Sequence, residues 1–74
     1  MMGDCMARTK RQLIGKWLTE DGSSVWVYKA GRSFWISHGL DERLCHPSIR
    51  TIEDTKKEAF LVFHVKVVSF ERIA

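Results

Sequence analysis

The chain has 74 residues, 45% of them hydrophobic and 28% charged, with one proline and five glycines. That is the composition of a single folded domain with a thin stability margin, and it excludes a disordered or low-complexity segment. The formal charge of +3 is not general: residues 6 to 18 carry Arg8, Lys10, Arg11 and Lys16 without an acid, while from residue 19 onward acids and bases are equal in number, so the basic field that marks many nucleic-acid-binding domains is excluded.

The opening Met1-Met2-Gly3-Asp4-Cys5-Met6 points to Met6 as the start of the protein, because codons for Gly3-Asp4 can resemble a bacterial ribosome-binding sequence just ahead of it. On that expectation residues 1 to 8 have no fixed structure and Cys45 is the free cysteine. The opening has no apolar stretch of signal-peptide length. Cys5 and Cys45 are too few for a disulfide framework. The apolar run from Ala59 to Val68 is interrupted by His64 and Lys66 and is too short to span a bilayer. The expected setting is therefore cytoplasmic, without membrane contact.

Arg8 to Thr19 holds Leu13, Ile14, Trp17 and Leu18, a spacing that fits a short helix face or a strand. Gly15 weakens the helix, so a strand is expected, preceded by a helical turn at 9 to 13. Glu20-Asp21-Gly22-Ser23 is a hairpin turn. Ser24 to Lys29, rich in β-branched and aromatic residues, reads as a second strand. Ala30-Gly31-Arg32 reads as a tight turn and Ser33 to His38 as a third strand, which makes an antiparallel meander. Gly39 to Pro47 interrupts this pattern, with Leu40 to Leu44 expected as one helical turn ended by Pro47. Ile49 to Glu53 reads as a short strand, Asp54 to Lys57 as a turn, and Glu58 to Arg72 as one long strand. A helix from Ser48 to Ala59 competes, because Glu53, Lys56, Lys57 and Glu58 favour helix. In the long strand Leu61, Phe63, Val65 and Val67 would share a purely apolar face. Phe60, Val62, His64, Lys66, Val68 and Phe70 would share a mixed one.

The expected fold is mainly β: a small antiparallel five-stranded meander, shaped as a partly open barrel or half-sandwich, with room for one short helix. The expected core is Leu13, Trp17, Val25, Val27, Phe34, Ile36, Leu61, Phe63, Val65 and Val67. Gly15-Lys16-Trp17 ahead of a Trp and Asp-Gly meander resembles the Gly-x-Trp opening of lipocalin-like barrels. A lipocalin pocket takes about eight strands and this chain supplies about five. The likeness therefore implies a Trp closing one end of a sheet, not membership of that family.

Trp26, Tyr28 and Trp35 alternate out of phase with Val25, Val27, Phe34 and Ile36. They leave the meander with an apolar patch on its second face. With Phe60 and Phe70 they are the candidate partner-binding residues, since Trp and Tyr bury much area at low entropy cost. The same residues serve equally well as core. The expectation that reconciles the two is a symmetric homodimer burying this face, alongside a protein partner that the sequence does not identify. The alternative is a nucleic-acid-binding module using Arg8, Lys10, Arg11, Lys29 and Arg32 for phosphates and the sheet aromatics for stacking. An RNA-recognition run of a basic residue, Gly and aromatics is missing from it.

His38, Cys45, His46 and His64 are of metal-binding type, but His38-x6-Cys45-His46 matches no common zinc spacing. No motif builds a Cys–His or Ser nucleophile with its base and oxyanion hole. The expectation is a small non-catalytic protein without cofactor or metal. A compact accessory or inhibitory role, such as small bacterial or phage genes encode, fits the size by analogy.

Overall fold

Alternation of large apolar side chains decides the middle of the molecule. In the computed structural model, which describes residues 11–73, Ser24–Ala30 and Ser33–His38 form strands β2 and β3. They pair antiparallel in a register that sets Val27 beside Ile36 and Tyr28 beside Trp35. Strand β1, Gln12–Thr19, joins the free side of β2, and β4, Asp41–Leu44, joins the free side of β3. Helix α1, Ile52–Phe63, then crosses one face and delivers β5, Val67–Arg72, to β1 at the opposite edge. The product is one open antiparallel sheet of order β4-β3-β2-β1-β5. It is mainly β with one short helix, as the sequence predicts. The first four strands are the meander, and β5 returns to β1 rather than extending it. The expectations for a start at Met6, for residues 1 to 8, for Cys5 and for a helical turn at 9 and 10 lie outside the described residues. From Gln12 the chain is strand.

The face under α1 holds Trp17, Val25, Val27, Phe34 and Ile36, closed by Cys45, Ile49 and Ala59. Helix α1 meets them with Ile52, Thr55, Ala59 and Phe63, whose spacing of three and four residues keeps them on one side. A buried indole N–H needs a partner. Trp17 Nε1–H donates to Thr55 Oγ1 at 2.8 Å, and the Thr55 hydroxyl donates in turn to the Ile52 carbonyl. This chain of bonds ties the helix to β1. Gly15 then makes room for β5: a Cβ there would fall 2.6 Å from Cζ of Phe70 and would also run into the Glu71 backbone oxygen. The space lets Phe70 pack edge-on against Trp17, with ring centroids 5.0 Å apart. The Gly-x-Trp pattern thus serves sheet packing, with no barrel around it.

Glu58 to Arg72 is not one strand. Thr51 Oγ1 accepts from the Asp54 N–H and the Asp54 carboxylate accepts from the Thr51 N–H, a capping box that starts α1. His64, in the left-handed region at φ 59°, ends the helix, with its N–H on the Phe60 carbonyl at 3.0 Å. Leu61 consequently stands on the outer side of the helix, 67% exposed, while Phe63, Val65 and Val67 pack against the core edge. The short strand at Ile49 to Glu53 does not form: Ile49 is a buried loop residue and Ile52 opens the helix. The chain takes a variant of the competing helix, shifted to residues 52–63.

Leu40 to Leu44 is not a helical turn. Gly39, at φ 64°, forms a two-residue turn with Leu40, and Asp41-Glu42-Arg43-Leu44 pairs with β3. All four residues of β4 are exposed, and a short charged edge strand resists further pairing. Leu13, expected in the core, is half-buried beside Tyr28 on the opposite face. Among the described residues no helix is long and apolar enough to cross a membrane.

Candidate functional site

A strand sends successive side chains to opposite faces. The phase that buries Val25, Val27, Phe34 and Ile36 under α1 therefore turns Trp26, Tyr28 and Trp35 to the other side. The register aligns Leu13, Tyr28, Trp35 and Leu44 as direct neighbours on four adjacent strands. A second row, Glu71, Lys16, Trp26, Ser37 and Glu42, runs beside it across all five. No other described element lies over this face. The three aromatics are half-buried and Leu44 is exposed.

Two cations are laid over the rings. The Arg11 guanidinium lies 3.7 Å from the Trp35 ring centroid and donates to Glu42 Oε1 at 2.6 Å. Lys16 Nζ lies 4.9 Å from the Trp26 centroid and 3.5 Å from Glu71 Oε1. A cation–π contact at an exposed site contributes about 0.5–1 kcal/mol, and an exposed ion pair up to about 1 kcal/mol. Both cations are thus weak lids, displaceable by a better-packed surface. An aromatic and aliphatic centre with charged residues at its margin has the anatomy of a protein interface.

The other candidate residues lie elsewhere. Phe70 is on the covered face against Trp17. Phe60 is on the outer side of α1, half-exposed, lining a shallow apolar groove with Leu61, Val65 and Val67. Neither joins Trp26, Tyr28 and Trp35. Of the basic residues, Arg11 is on the aromatic face. Lys29 and Arg32 sit at the tip of the β2–β3 hairpin on the α1 side, with Lys29 Nζ 5.4 Å from the Phe34 centroid. Arg8 and Lys10 lie outside the described residues. Leu13, Leu44, Lys16 and Glu42 belong to the aromatic face but escaped sequence reasoning, because only the strand register shows that they flank it.

His38, Cys45, His46 and His64 are dispersed: among the described residues no three or more His, Cys, Asp and Glu side chains are grouped to hold a metal. Cys45 is buried. Desolvation, followed by the charge of Glu58, pushes its thiol from the ordinary 9.0 up to about 12, so it is protonated and inert at neutral pH. An acid whose pKa is raised by folding stabilises the fold below its unfolded pKa and loses that contribution as pH rises through the folded one. Stability is expected to fall between pH 9.0 and about 12 more steeply in the wild type than in Cys45→Ala. Urea midpoints across that range check this, and parallel curves would contradict it.

One polar cluster had no forecast in the sequence. The Asp21 carboxylate accepts from the Thr19 hydroxyl, the Ser23 hydroxyl at 2.8 Å and the Ser23 N–H at 3.1 Å. These bonds, the Thr19 hydroxyl foremost, hold Asp21 at about 2 instead of 3.8. Ser23 Oγ also lies 3.1 Å from His38 Nε2. The Ser23 hydroxyl thereby joins Asp21, Thr19 and His38. The cluster therefore locks the β1–β2 turn to the end of β3. The hydroxyl residues two positions either side of Asp21 were its only trace in the sequence.

Comparison with protein-family models, curated proteins and solved structures finds no match for this chain.

Proposed function

We propose that this is a small non-catalytic protein that works through the aromatic sheet face, first by pairing with a second copy of itself and through the same type of contact with a protein partner. The observation that carries the reading is the row Leu13, Tyr28, Trp35 and Leu44, which crosses four adjacent strands on the side away from α1. Twofold self-association is the commonest way to bury such a face, and it adds the burial that a domain of this size lacks. An accessory or inhibitory role in the cytoplasm fits a protein with a single contact face.

The nucleic-acid reading is less well supported. On the aromatic face Arg11 is already bonded to Glu42 and Lys16 to Glu71, so phosphate contacts there would displace existing carboxylates. Lys29 and Arg32 lie on the α1 side, away from the rings that would stack bases.

Size-exclusion chromatography with light scattering, on protein freed of nucleic acid, separates the two. The expected result is a dimer that persists at high salt and becomes a monomer in Trp35→Ala with its fold retained. Nucleic-acid binding would instead weaken by roughly one power of salt concentration per phosphate neutralised. A wild type that stays monomeric at high concentration overturns self-association. A Trp35→Ala protein that loses stability yet still dimerises assigns Trp35 to the fold instead.

A further inference from the structure

The β2–β3 turn and the loop between β4 and α1 enclose an open cleft of about 490 Å³, within the range of small-molecule sites. Three cations line it from three separate segments: Lys29 at the end of β2, Arg32 in the turn, and Arg50 just ahead of α1. No carboxylate lines it. Among the described residues none of the three makes an ion pair. The two acids that follow Arg50 are engaged elsewhere: Glu53 pairs with Lys56 at 3.9 Å, and Asp54 accepts from the backbone N–H groups of Arg50 and Thr51. From residue 19 onward the chain has as many acids as bases, so this convergence of like charge is a local departure from a balanced body. Like charges brought together repel, and an anion between them reverses the sign of that interaction.

A fourth group is an imidazole. The Ser48 N–H donates to His46 Nδ1 at 3.1 Å, and the Ser48 hydroxyl lies 2.9 Å from the same nitrogen. Nδ1 is thus occupied by Ser48, and Nε2, the other ring nitrogen, has no partner among the described residues. His46 lines the same cleft. The rest of the wall is mostly apolar, with Phe34, Leu44, Cys45, Pro47 and Ile49 beside Ser33. A bare inorganic anion would leave that wall unused. A polynucleotide would need a continuous basic track, whereas these cations surround one concavity.

We propose that the cleft binds a small organic phosphate: a phosphate monoester held by the Arg32 and Arg50 guanidinium groups with Lys29, and an apolar or planar body resting against Leu44 and Pro47. Arginine forks suit phosphate oxygens in paired hydrogen bonds. His46 Nε2 adds a polar ring nitrogen beside the three cations for a phosphate oxygen. Leu44, on edge strand β4, borders both this cleft and the aromatic face; the three cations belong to the cleft alone, so substituting them tests this site without touching Trp26, Tyr28 or Trp35.

The test is a chemical-shift titration of 15N-labelled protein with phenyl phosphate, inorganic phosphate, phenol and a short oligothymidylate. Phenyl phosphate is expected to saturate in the millimolar range or tighter, with shifts confined to residues 29–34 and 44–50, and to bind about tenfold more tightly than inorganic phosphate or phenol. Arg32→Gln and Arg50→Gln are each expected to weaken it about tenfold. Both side chains are exposed and unbonded among the described residues, so the fold should persist, and an unchanged amide spectrum checks that. Lys57→Gln, on the groove between α1 and β5, is expected to change nothing. No saturation by about 10 mM, or equal affinity in both arginine variants, overturns the site. Inorganic phosphate binding as tightly as phenyl phosphate overturns the organic body. Oligothymidylate binding far more tightly through the same arginines overturns the small ligand in favour of nucleic acid.

Discussion

Ile36→Ala is expected to unfold the protein or leave it at the edge of unfolding. Ile36 is fully buried on interior strand β3, beside Val27 and beneath α1. Removing a buried isoleucine down to Cβ costs about 2–5 kcal/mol, the lost transfer energy plus that of the cavity left behind. A domain this small rarely holds more than about 3–5 kcal/mol in its core, so one substitution is comparable with the whole margin. Urea denaturation, or loss of amide dispersion in an NMR spectrum, reads the effect. The informative control is Leu61→Ala. A sequence reading of 58 to 72 as strand makes Leu61 a core residue with a similar cost. On the outer side of α1 it should cost no more than about 0.5 kcal/mol. Equal losses for Ile36→Ala and Leu61→Ala would overturn the helix.

Gly15→Val is the second large effect, and propensity predicts its sign wrongly. Valine is a better strand residue than glycine, by up to about 1 kcal/mol on host scales. At this position, however, a Cβ meets the Phe70 ring at 2.6 Å and the Glu71 carbonyl of the paired strand. The ring could rotate away only by giving up its contact with Trp17, and the carbonyl oxygen cannot move without shifting β5. Overpacking costs about 1–3 kcal/mol, and two fixed obstacles place Gly15→Val at the upper end, about 3 kcal/mol. The loss should concentrate at β5. Amide hydrogen exchange is expected to show β5 unprotected while β2 and β3 keep their protection. Uniform protection across the sheet in the variant would mean that the strand accommodates the side chain.

The parts of the fold that follow from local chemistry were legible. Val25-Trp26-Val27-Tyr28 and Phe34-Trp35-Ile36 alternate cleanly, Asp21-Gly22 and Gly31 mark turns, and the meander of β1 to β3 follows from them. The split between core and outer aromatics was legible for the same reason. The C-terminal third was not. Thr51 and Asp54 make a capping box with Asp in place of the usual Glu or Gln. Helix α1 ends at His64 rather than at a glycine. The run 60 to 68 is apolar enough to satisfy strand and helix periodicities together. What decided it was tertiary: Thr55 and Ala59 fit against the sheet, and Thr55 satisfies the Trp17 indole. The basic cleft was invisible because Arg50 is distant in sequence from Lys29 and Arg32.

The path of α1 also joins the two edges of the sheet. Strands β4 and β5, nearly consecutive in the chain, are the two outermost of five. Four inter-strand spacings of about 4.8 Å put them roughly 19 Å apart. A helix of 12 residues, rising about 1.5 Å each, is roughly 18 Å long. The helix is thus about as long as the span between the edges, and the loops 45–51 and 64–66 supply the rest of the connection.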